Sequence, residues 1–154
     1  MADFHAKIEW LRGGAEFSYE KYNRLHTWRF EDGIEVPGRA APGNIPKSAP
    51  LGPGIDPEQA FVASLSACHM LWFLHVACRA KLVVERYADE AVGTLGKNAE
   101  GKMAMTRVAL RPTVSFSGRA PTPEEHAKLH HKAHEECFIA NSVKTEVLVE
   151  PVIA

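Results

Sequence analysis

Residues 56–80 read DPEQAFVASLSACHMLWFLHVACRA, and this stretch decides the fold. Asp56 is a natural helix N-cap, Pro57 suits the first helical position, and Gln59 lies where a capping-box partner reaches back. The residues that follow, up to Arg79, contain neither glycine nor proline. Because the stretch is apolar nearly all round, we expect a long central helix in a core or an interface.

The composition excludes several classes of protein. A chain of 154 residues, 45% of them hydrophobic, suits one domain over residues 1–154 and is short for two. A net charge of −1 does not indicate the excess of positive charge that binding to a nucleic acid or an anionic membrane requires. The N-terminal residues MADFHAKIEW lack the pattern of a secretory signal, so we expect a soluble, cytoplasmic protein. Its three cysteines are then expected to be reduced thiols.

Strand patterns precede the helix. Alternation over residues 4–11 predicts a half-buried strand, followed by a turn at Gly13-Gly14. Residues 17–30 predict two further short strands, and the hairpin-type turn at residues 31–33 completes an N-terminal antiparallel sheet. Residues 36–54 are rich in proline and glycine. They indicate a long extended connection that is functional or crosses to another chain.

Strands and one further helix follow the central helix. The patterns predict short strands near residues 82–84 and 91–95, and one long strand over 103–117 with Pro112 at an edge or bulge. A capping box opened by Thr122 predicts a second helix over residues 123–135, and residues 145–153 predict a closing strand. Strands grouped on either side of a long helix predict an α+β fold, with antiparallel sheets packed around the central helix.

Each cysteine has a structural and a chemical interpretation. Cys68, in the middle of the predicted helix, is either a small buried hydrophobe or a reactive thiol that needs a cation brought to it. Cys137, just beyond the second helix, is either packed or a resolving thiol for another cysteine. Cys78 lies about 15 Å further along the helix than Cys68, so the two cannot form a bond, and we expect Cys78 to pack.

Histidines recur every four residues along the second predicted helix. His126, His130 and His134 can share one face, and three imidazoles can bind zinc or nickel. One helix face seldom supplies converging ligands, however. We therefore favour a solvated or partner-facing surface over a metal site, and a Cys/His metal-binding protein stays only as a rival interpretation.

The stretch GIDPEQAFVASLSACHM resembles the motif of the OsmC/Ohr family, the osmotically induced and organic-hydroperoxide-resistance proteins. In that family an Asn/Asp-Pro-Glu-Gln stretch leads into a central helix, with the reactive cysteine ten residues after the glutamate. Glu58 and Cys68 have this spacing. The segment HEECFIANS is similar to the family's second-cysteine segment, and the resemblance extends over essentially the whole chain. Phe138 stands where the hydroperoxide-resistance branch usually has proline, so the resemblance is closer to the general OsmC-like branch.

The resemblance implies an antioxidant, thiol-dependent peroxidase of the stress response that uses no cofactor. Cys68 would reduce an organic hydroperoxide to an alcohol and become a sulfenic acid. Cys137 would then form a disulfide with Cys68, and a dithiol reductant such as a lipoyl protein would reduce that disulfide. We expect no nucleic-acid or membrane partner.

The resemblance also implies a charged support for the thiolate. In the family an arginine lowers the thiol pKa and a glutamate holds that arginine. Glu58 matches the glutamate. The arginine comes from the N-terminal strands, where Arg24 is our first choice and Arg29 and Arg12 are the alternatives.

Helix geometry bears on where Glu58 acts. Along one helix Glu58 and Cys68 are about 15 Å apart, too far to share a hydrogen-bonding site. Either the helix breaks near its start, or Glu58 comes from a second chain, in agreement with the family's intertwined homodimer. The long 36–54 connection and the all-round apolar helix favour such a homodimer.

An apolar pocket is the last expected part of the site. Four side chains of the central helix could form such a pocket for an organic peroxide: Phe61, Leu65, Met70 and Trp72. Simple core packing is the alternative for most of them. A non-catalytic OsmC-like protein that binds an apolar small ligand at the dimer interface, with Cys68 merely packed, is the alternative function.

Overall fold

The computed structural model describes residues 1–152 and divides the chain into two compact units. The first unit is Met1–Ala60, and the second begins at Phe61. Each unit has its own hydrogen-bonded sheet structure. A single domain over residues 1–154 stays a prediction.

The first unit contains a three-stranded antiparallel sheet, which confirms the predicted N-terminal sheet. Its strands are β1 (Ala6–Glu9), β2 (His26–Phe30) and β3 (Glu35–Gly38), with β2 in the middle. Trp28 of β2 lies opposite Ile8 on one side and Val36 on the other. The turn between β2 and β3 holds Asp32 and Gly33 at positive φ, 61° and 74°.

Two predictions about this unit are wrong. Residues 17–30 form one strand rather than two, because the Ser18 carbonyl accepts hydrogen bonds from the N–H groups of Lys21 and Tyr22, at 3.0 and 2.9 Å, and closes a turn. The first residues of the proline- and glycine-rich connection also belong to strand β3, whereas we predicted no strand there because of the prolines and glycines. Ile55 binds back to this strand, since its N–H donates to the Pro37 carbonyl at 2.9 Å.

The long helix α1 spans Pro57–Arg79 without interruption, as predicted. The expected capping box is present: Asp56 Oδ1 accepts the Gln59 N–H at 2.8 Å, and Gln59 Oε1 accepts the Asp56 N–H at 3.2 Å. The unbroken helix removes one of the two alternatives for Glu58, a helix break near its start.

Within residues 1–152, the buried side chains of α1 lie on one face of the helix. The buried residues recur every four positions and are Leu65, His69, Phe73 and Ala77. Other apolar positions face outward, with Leu71 63% exposed. By length and composition α1 is able to cross a membrane, although the core helices of soluble proteins have the same properties.

The second unit adds five strands and a second helix. These are β4 (Val83–Asp89), β5 (Val92–Lys97), β6 (Met103–Leu110), β7 (Pro112–Ser117), α2 (Pro123–Glu136) and β8 (Glu146–Val149). Strands β4 and β7 form one antiparallel pair, and β5, β6 and β8 form a three-stranded sheet. The β6–β8 pairing is parallel, whereas we expected antiparallel sheets. With two helices, the fold is the predicted α+β class.

The long strand predicted over residues 103–117 is in fact two strands in two sheets. The chain leaves β6 at Arg111 and enters β7 at Pro112, where the missing N–H prevents continuation of one ladder. The Arg111 N–H donates instead to Asp89 Oδ1 at 2.6 Å. The other oxygen of Asp89 accepts the hydroxyl of Ser66 at 2.5 Å, which ties this crossing point to α1.

Helix α2 begins at the predicted capping box, in which Thr122 Oγ1 accepts the Glu125 N–H at 3.2 Å. Two apolar clusters form the core of the second unit. One joins α1, α2 and the β4–β7 pair around Phe73, and the other joins α1 and β6 around Leu65. The predicted closing strand 145–153 is shortened to β8, and its last residue, Ile153, lies outside the described residues.

Candidate active site

The second unit brings Cys68 and Cys137 together. Cys68 lies half-buried in the middle of α1, and Cys137 is the C-terminal cap of α2 with 1% of its surface exposed. Burial raises the pKa of the Cys137 thiol to about 11; the backbone N–H of Ala140 opposes this rise, and the adjoining Cys68 thiol adds to it. Both thiols are free. Two neighbouring free thiols can form a disulfide, and Cys68 is the more accessible of the two.

Cys78 does not pack as we expected. It is exposed near the end of α1, outside the row of buried residues that includes Phe73 and Ala77. It is therefore an accessible thiol and an internal reference for the reactivity of the other two.

Arg24 and Glu58 both line a cavity of about 650 Å³ in the first unit. The guanidinium carbon of Arg24 lies 3.7 Å from the ring centroid of Tyr22, a cation–π contact, and the group donates to the carbonyls of Tyr19 and Tyr22. Glu58 Oε1 accepts a long hydrogen bond of 3.5 Å from Asn44. The two charged residues share one cavity, while an ion pair between them stays a prediction.

The two alternative arginines are engaged elsewhere. Arg29 forms ion pairs with Glu9, at 2.7 Å, and with Glu35 on the adjoining strands. Arg12 donates to the carbonyl of Ala15 at 2.8 Å. Neither lines the cavity, which favours Arg24 among the three.

Sequence reasoning missed Arg39, a second cation that lines the same cavity. Its Nη1 donates to the Gly52 carbonyl at 3.4 Å, and its Nε is buried without a partner among the described residues. Arg39 follows β3 directly. In the sequence, Arg39 is a single arginine in a proline-rich connection. The prolines gave no indication that a strand precedes it.

The four predicted pocket residues occupy different environments. Leu65 is fully buried and packs with Val108 and Leu110, so it is a core residue, as the packing alternative requires. Phe61 packs against the same cluster and lines a separate cavity of about 790 Å³. Trp72 makes an edge contact with Phe138, and Met70 is half-buried. A substrate pocket built from all four stays a prediction.

We favoured a solvated or partner-facing surface for the histidine face of α2. The structure contradicts the solvated alternative, and the partner-facing one stays a prediction. His130 is buried, and its Nδ1 lies 3.0 Å from Nε2 of His69, which is buried on α1. His126 and His134 are half-buried. Burial lowers the pKa of His69 to about 4 and that of His130 to about 3, so both imidazoles are neutral at pH 7. Sequence spacing could not reveal this pair, because its members are 61 positions apart.

Comparisons with known proteins place these residues in a family. The family model described as OsmC-like protein matches residues 50–151. A solved OsmC-like protein of unknown function from Vibrio cholerae is 48% identical, with a TM-score of 0.93 over 99% of this chain and 100% of that chain. No curated protein sequence matches the chain.

Two more distant structures share the fold. An organic hydroperoxide resistance protein from Elizabethkingia anophelis is 21% identical, with a TM-score of 0.71 over 100% of this chain and 96% of that chain. The organic hydroperoxide resistance protein OhrB of Bacillus subtilis is 21% identical, with a TM-score of 0.63 over 98% of each chain. The family match and the Vibrio cholerae structure confirm the resemblance seen in the sequence: the chain belongs to the OsmC-like family.

Proposed function

We propose that this protein is a thiol-dependent peroxidase that reduces organic hydroperoxides to alcohols. The observation that carries the proposal is the adjacency of Cys68, accessible on α1, and Cys137, buried at the end of α2. Membership of the OsmC-like family and the names of the two hydroperoxide resistance proteins that share the fold point to the same chemistry.

The reaction divides into three balanced steps. The Cys68 thiol loses its proton, and the thiolate attacks the distal oxygen of the hydroperoxide. The O–O bond breaks, the alkoxide leaves and takes up a proton to become the alcohol, and Cys68 becomes a sulfenic acid. Cys137 attacks the sulfenic sulfur, which forms the disulfide and releases water. A dithiol reductant then reduces this disulfide. Both cysteines return to thiols, and the reductant becomes a disulfide.

The environment of Cys137 supports different tasks for the two thiols. A pKa of about 11 keeps Cys137 protonated at pH 7, so it does not compete for the peroxide. A protonated thiol beside Cys68 can donate a hydrogen bond to the Cys68 thiolate. Cys68 is then the attacking sulfur and Cys137 the resolving one.

The charged side chains complete the proposed site. Arg24 would stabilise the thiolate and the alkoxide that develops as the O–O bond breaks, and Glu58 would orient Arg24. Arg39, which lines the same cavity and has a buried Nε without a partner among the described residues, is a second source of positive charge.

We further propose that Glu58 and Arg24 serve the Cys68 of a second copy in a homodimer. The unbroken helix holds Glu58 about 15 Å along its axis from the Cys68 of its own chain. The outward apolar face of α1, with Leu71 63% exposed, supports helix-to-helix packing between two copies. A stable monomer in sedimentation equilibrium would contradict this arrangement.

Intact mass tests the peroxidase most directly. Reduced protein receives one equivalent of cumene hydroperoxide, and its mass is measured without reductant. We expect wild type to lose two hydrogens, Cys137→Ser to gain one oxygen, and Cys68→Ser to keep its mass. Cys78→Ser is the matched control and should behave as wild type. An unchanged mass in wild type would refute the proposal.

The alternative function, binding of an apolar small ligand without catalysis, is supported by the aromatic lining of the 650 Å³ cavity. Trp10, Phe17 and Tyr22 all contribute to it. The two functions differ in their dependence on the thiol. A ligand-binding protein would retain its function in Cys68→Ser, whereas a peroxidase would lose it.

A further inference from the structure

His69 of α1 and His130 of α2 form a buried pair in the core of the second unit, and the proposed peroxidase reaction does not use them. Their exposed fractions are 0% and 3%. Nε2 of His69 lies 3.0 Å from Nδ1 of His130, and the two ring planes are parallel to within 3°. The ring of Phe73 stacks on that of His130 at a centroid distance of 4.3 Å. The pair is therefore a polar contact between the two helices inside an apolar core.

The hydrogen bonding of the pair suits two neutral rings. The outer nitrogens, Nδ1 of His69 and Nε2 of His130, are buried and have no partner among the described residues. In the neutral pair one ring donates to the other, so one outer nitrogen bears a proton and the other a lone pair. A first added proton would occupy that lone pair and create a buried cation. A second would place N–H groups on both inner nitrogens and abolish the hydrogen bond.

The groups around the pair do not compensate a positive charge. Within residues 1–152, neither imidazole forms an ion pair with a carboxylate. His126 and His134 approach the pair from α2, and a proton on either would repel the charge. From β4, Tyr87 packs near His130, and its buried hydroxyl has no partner in the described part of the chain. The carboxylate of Asp89, also on β4, is already bound to α1 and to a backbone N–H.

We propose that the His69–His130 pair is an acid-sensitive contact that holds α1 and α2 together. The neutral pair keeps the contact closed. Proton uptake becomes favourable when the contact opens and the imidazoles reach water, so acid favours the open form. Cys68 directly precedes His69 on α1, and Cys137 caps α2 two turns beyond His130. Opening of the contact would therefore move the two thiols apart.

The direction and size of the pH effect follow from the two pKa values. Burial lowers the pKa of His69 to about 4 and that of His130 to about 3, whereas an imidazole in water has a pKa of about 6.5. The closed form therefore has its full stability above a pH of about 6.5 and loses stability as the pH falls towards 4. Between pH 7 and pH 5, the ratio of open to closed molecules should rise about 20-fold for each imidazole.

Labelling of Cys137 measures the opening, because this residue is 1% exposed in the closed form. The Cys68→Ser variant is labelled with dithiodipyridine, and the rate at Cys137 is divided by the rate at the exposed Cys78. In the open form both thiols are mostly protonated below pH 7, so their thiolate fractions fall alike with pH and cancel in this ratio. We expect the ratio to rise at least about 20-fold from pH 7 to pH 5.

Glutamine provides the matched variant, because it donates and accepts hydrogen bonds but does not titrate. Added to Cys68→Ser, the double substitution His69→Gln and His130→Gln should keep the ratio constant between pH 7 and pH 5. His131→Gln changes an exposed histidine of the same helix and should leave the rise intact. Circular dichroism establishes that each variant is folded. If the double variant does not fold, His130→Gln alone should remove about 20-fold of the rise.

Three outcomes would overturn the proposal. The first is a ratio that stays constant with pH when both histidines are present. The second is a rise that persists in the glutamine variant, since another group would then cause it. The third concerns global unfolding, which urea unfolding at pH 5 measures: Cys137 should be labelled faster than global unfolding allows, and equal rates would show that no local opening occurs.

Discussion

Oxidation of Cys68 and Cys137 to a disulfide should stabilise the protein by about 4 kcal/mol. The two residues are 69 positions apart in the chain. A cross-link that closes a loop of this length lowers the conformational entropy of the unfolded chain, which corresponds to about 4 kcal/mol at 25 °C. Because the two thiols already adjoin in the folded protein, the bond should form with little strain, so most of this gain should be retained.

Urea unfolding of the oxidised and the reduced protein measures the gain. With a slope of about 2 kcal/mol per molar urea, 4 kcal/mol moves the midpoint by about 2 M. Cys78→Ser should show the same shift, and Cys137→Ser should show none. Intact mass must first confirm the loss of two hydrogens in the oxidised sample. If that loss is seen and the midpoints still coincide, the reasoning from native proximity is refuted.

Three smaller predictions concern packing, capping and thiol reactivity. Leu65→Ala should lower the free energy of unfolding by about 3 kcal/mol, because the side chain is fully buried; a loss below about 1 kcal/mol in urea unfolding would contradict this. Thr122→Ala removes the N-terminal cap of α2 and should lower the free energy of unfolding by about 1 kcal/mol, measured by thermal melting. Thr94→Ala is the control, because Thr94 lies in strand β5 and caps no helix. At pH 8, iodoacetamide should alkylate Cys137 about 100-fold more slowly than an ordinary thiol of pKa near 9, and clearly more slowly than the exposed Cys78. Its rate should rise with pH up to about 11, since the thiolate fraction increases as the thiol loses its proton, and a rate equal to that of Cys78 would contradict the burial argument.

The features that were predictable from the sequence depend on neighbouring residues. Helix α1 could be predicted because Asp56, Pro57 and Gln59 determine its start within four residues. Helix α2 could be predicted from Thr122 and Glu125 for the same reason. In both cases the deciding hydrogen bonds are formed inside the segment itself.

The features that were missed depend on distant partners. The change of sheet at Pro112 relies on Asp89, which accepts the N–H of Arg111 from 22 positions away. The burial of His130 relies on His69, which the sequence places on another helix. Periodicity along one segment contains no information about such partners, so the sequence alone predicted one long strand and a solvated or partner-facing histidine face.

The same limit applies to the candidate site. The pairing of Cys68 with Cys137 followed from a family resemblance, because the spacing of two cysteines in a chain does not determine their separation in space. The cavity shared by Arg24, Glu58 and Arg39 depends on how the proline-rich connection folds back after β3. Arg39 was overlooked for that reason.

Cys137 lies at the very end of α2, so a disulfide at this residue would affect how readily the end of the helix unfolds. Its N–H donates to the His134 carbonyl at 3.3 Å, and its own carbonyl accepts the N–H of Asn141 at 3.0 Å. A bond from its sulfur to α1 would therefore clamp the last turn of the helix and the turn that follows it. Amide protons in this segment should then exchange with solvent more slowly in the oxidised protein than in the reduced one. The oxidation state of a buried sulfur would thus change the backbone motion of the exposed segment that follows α2.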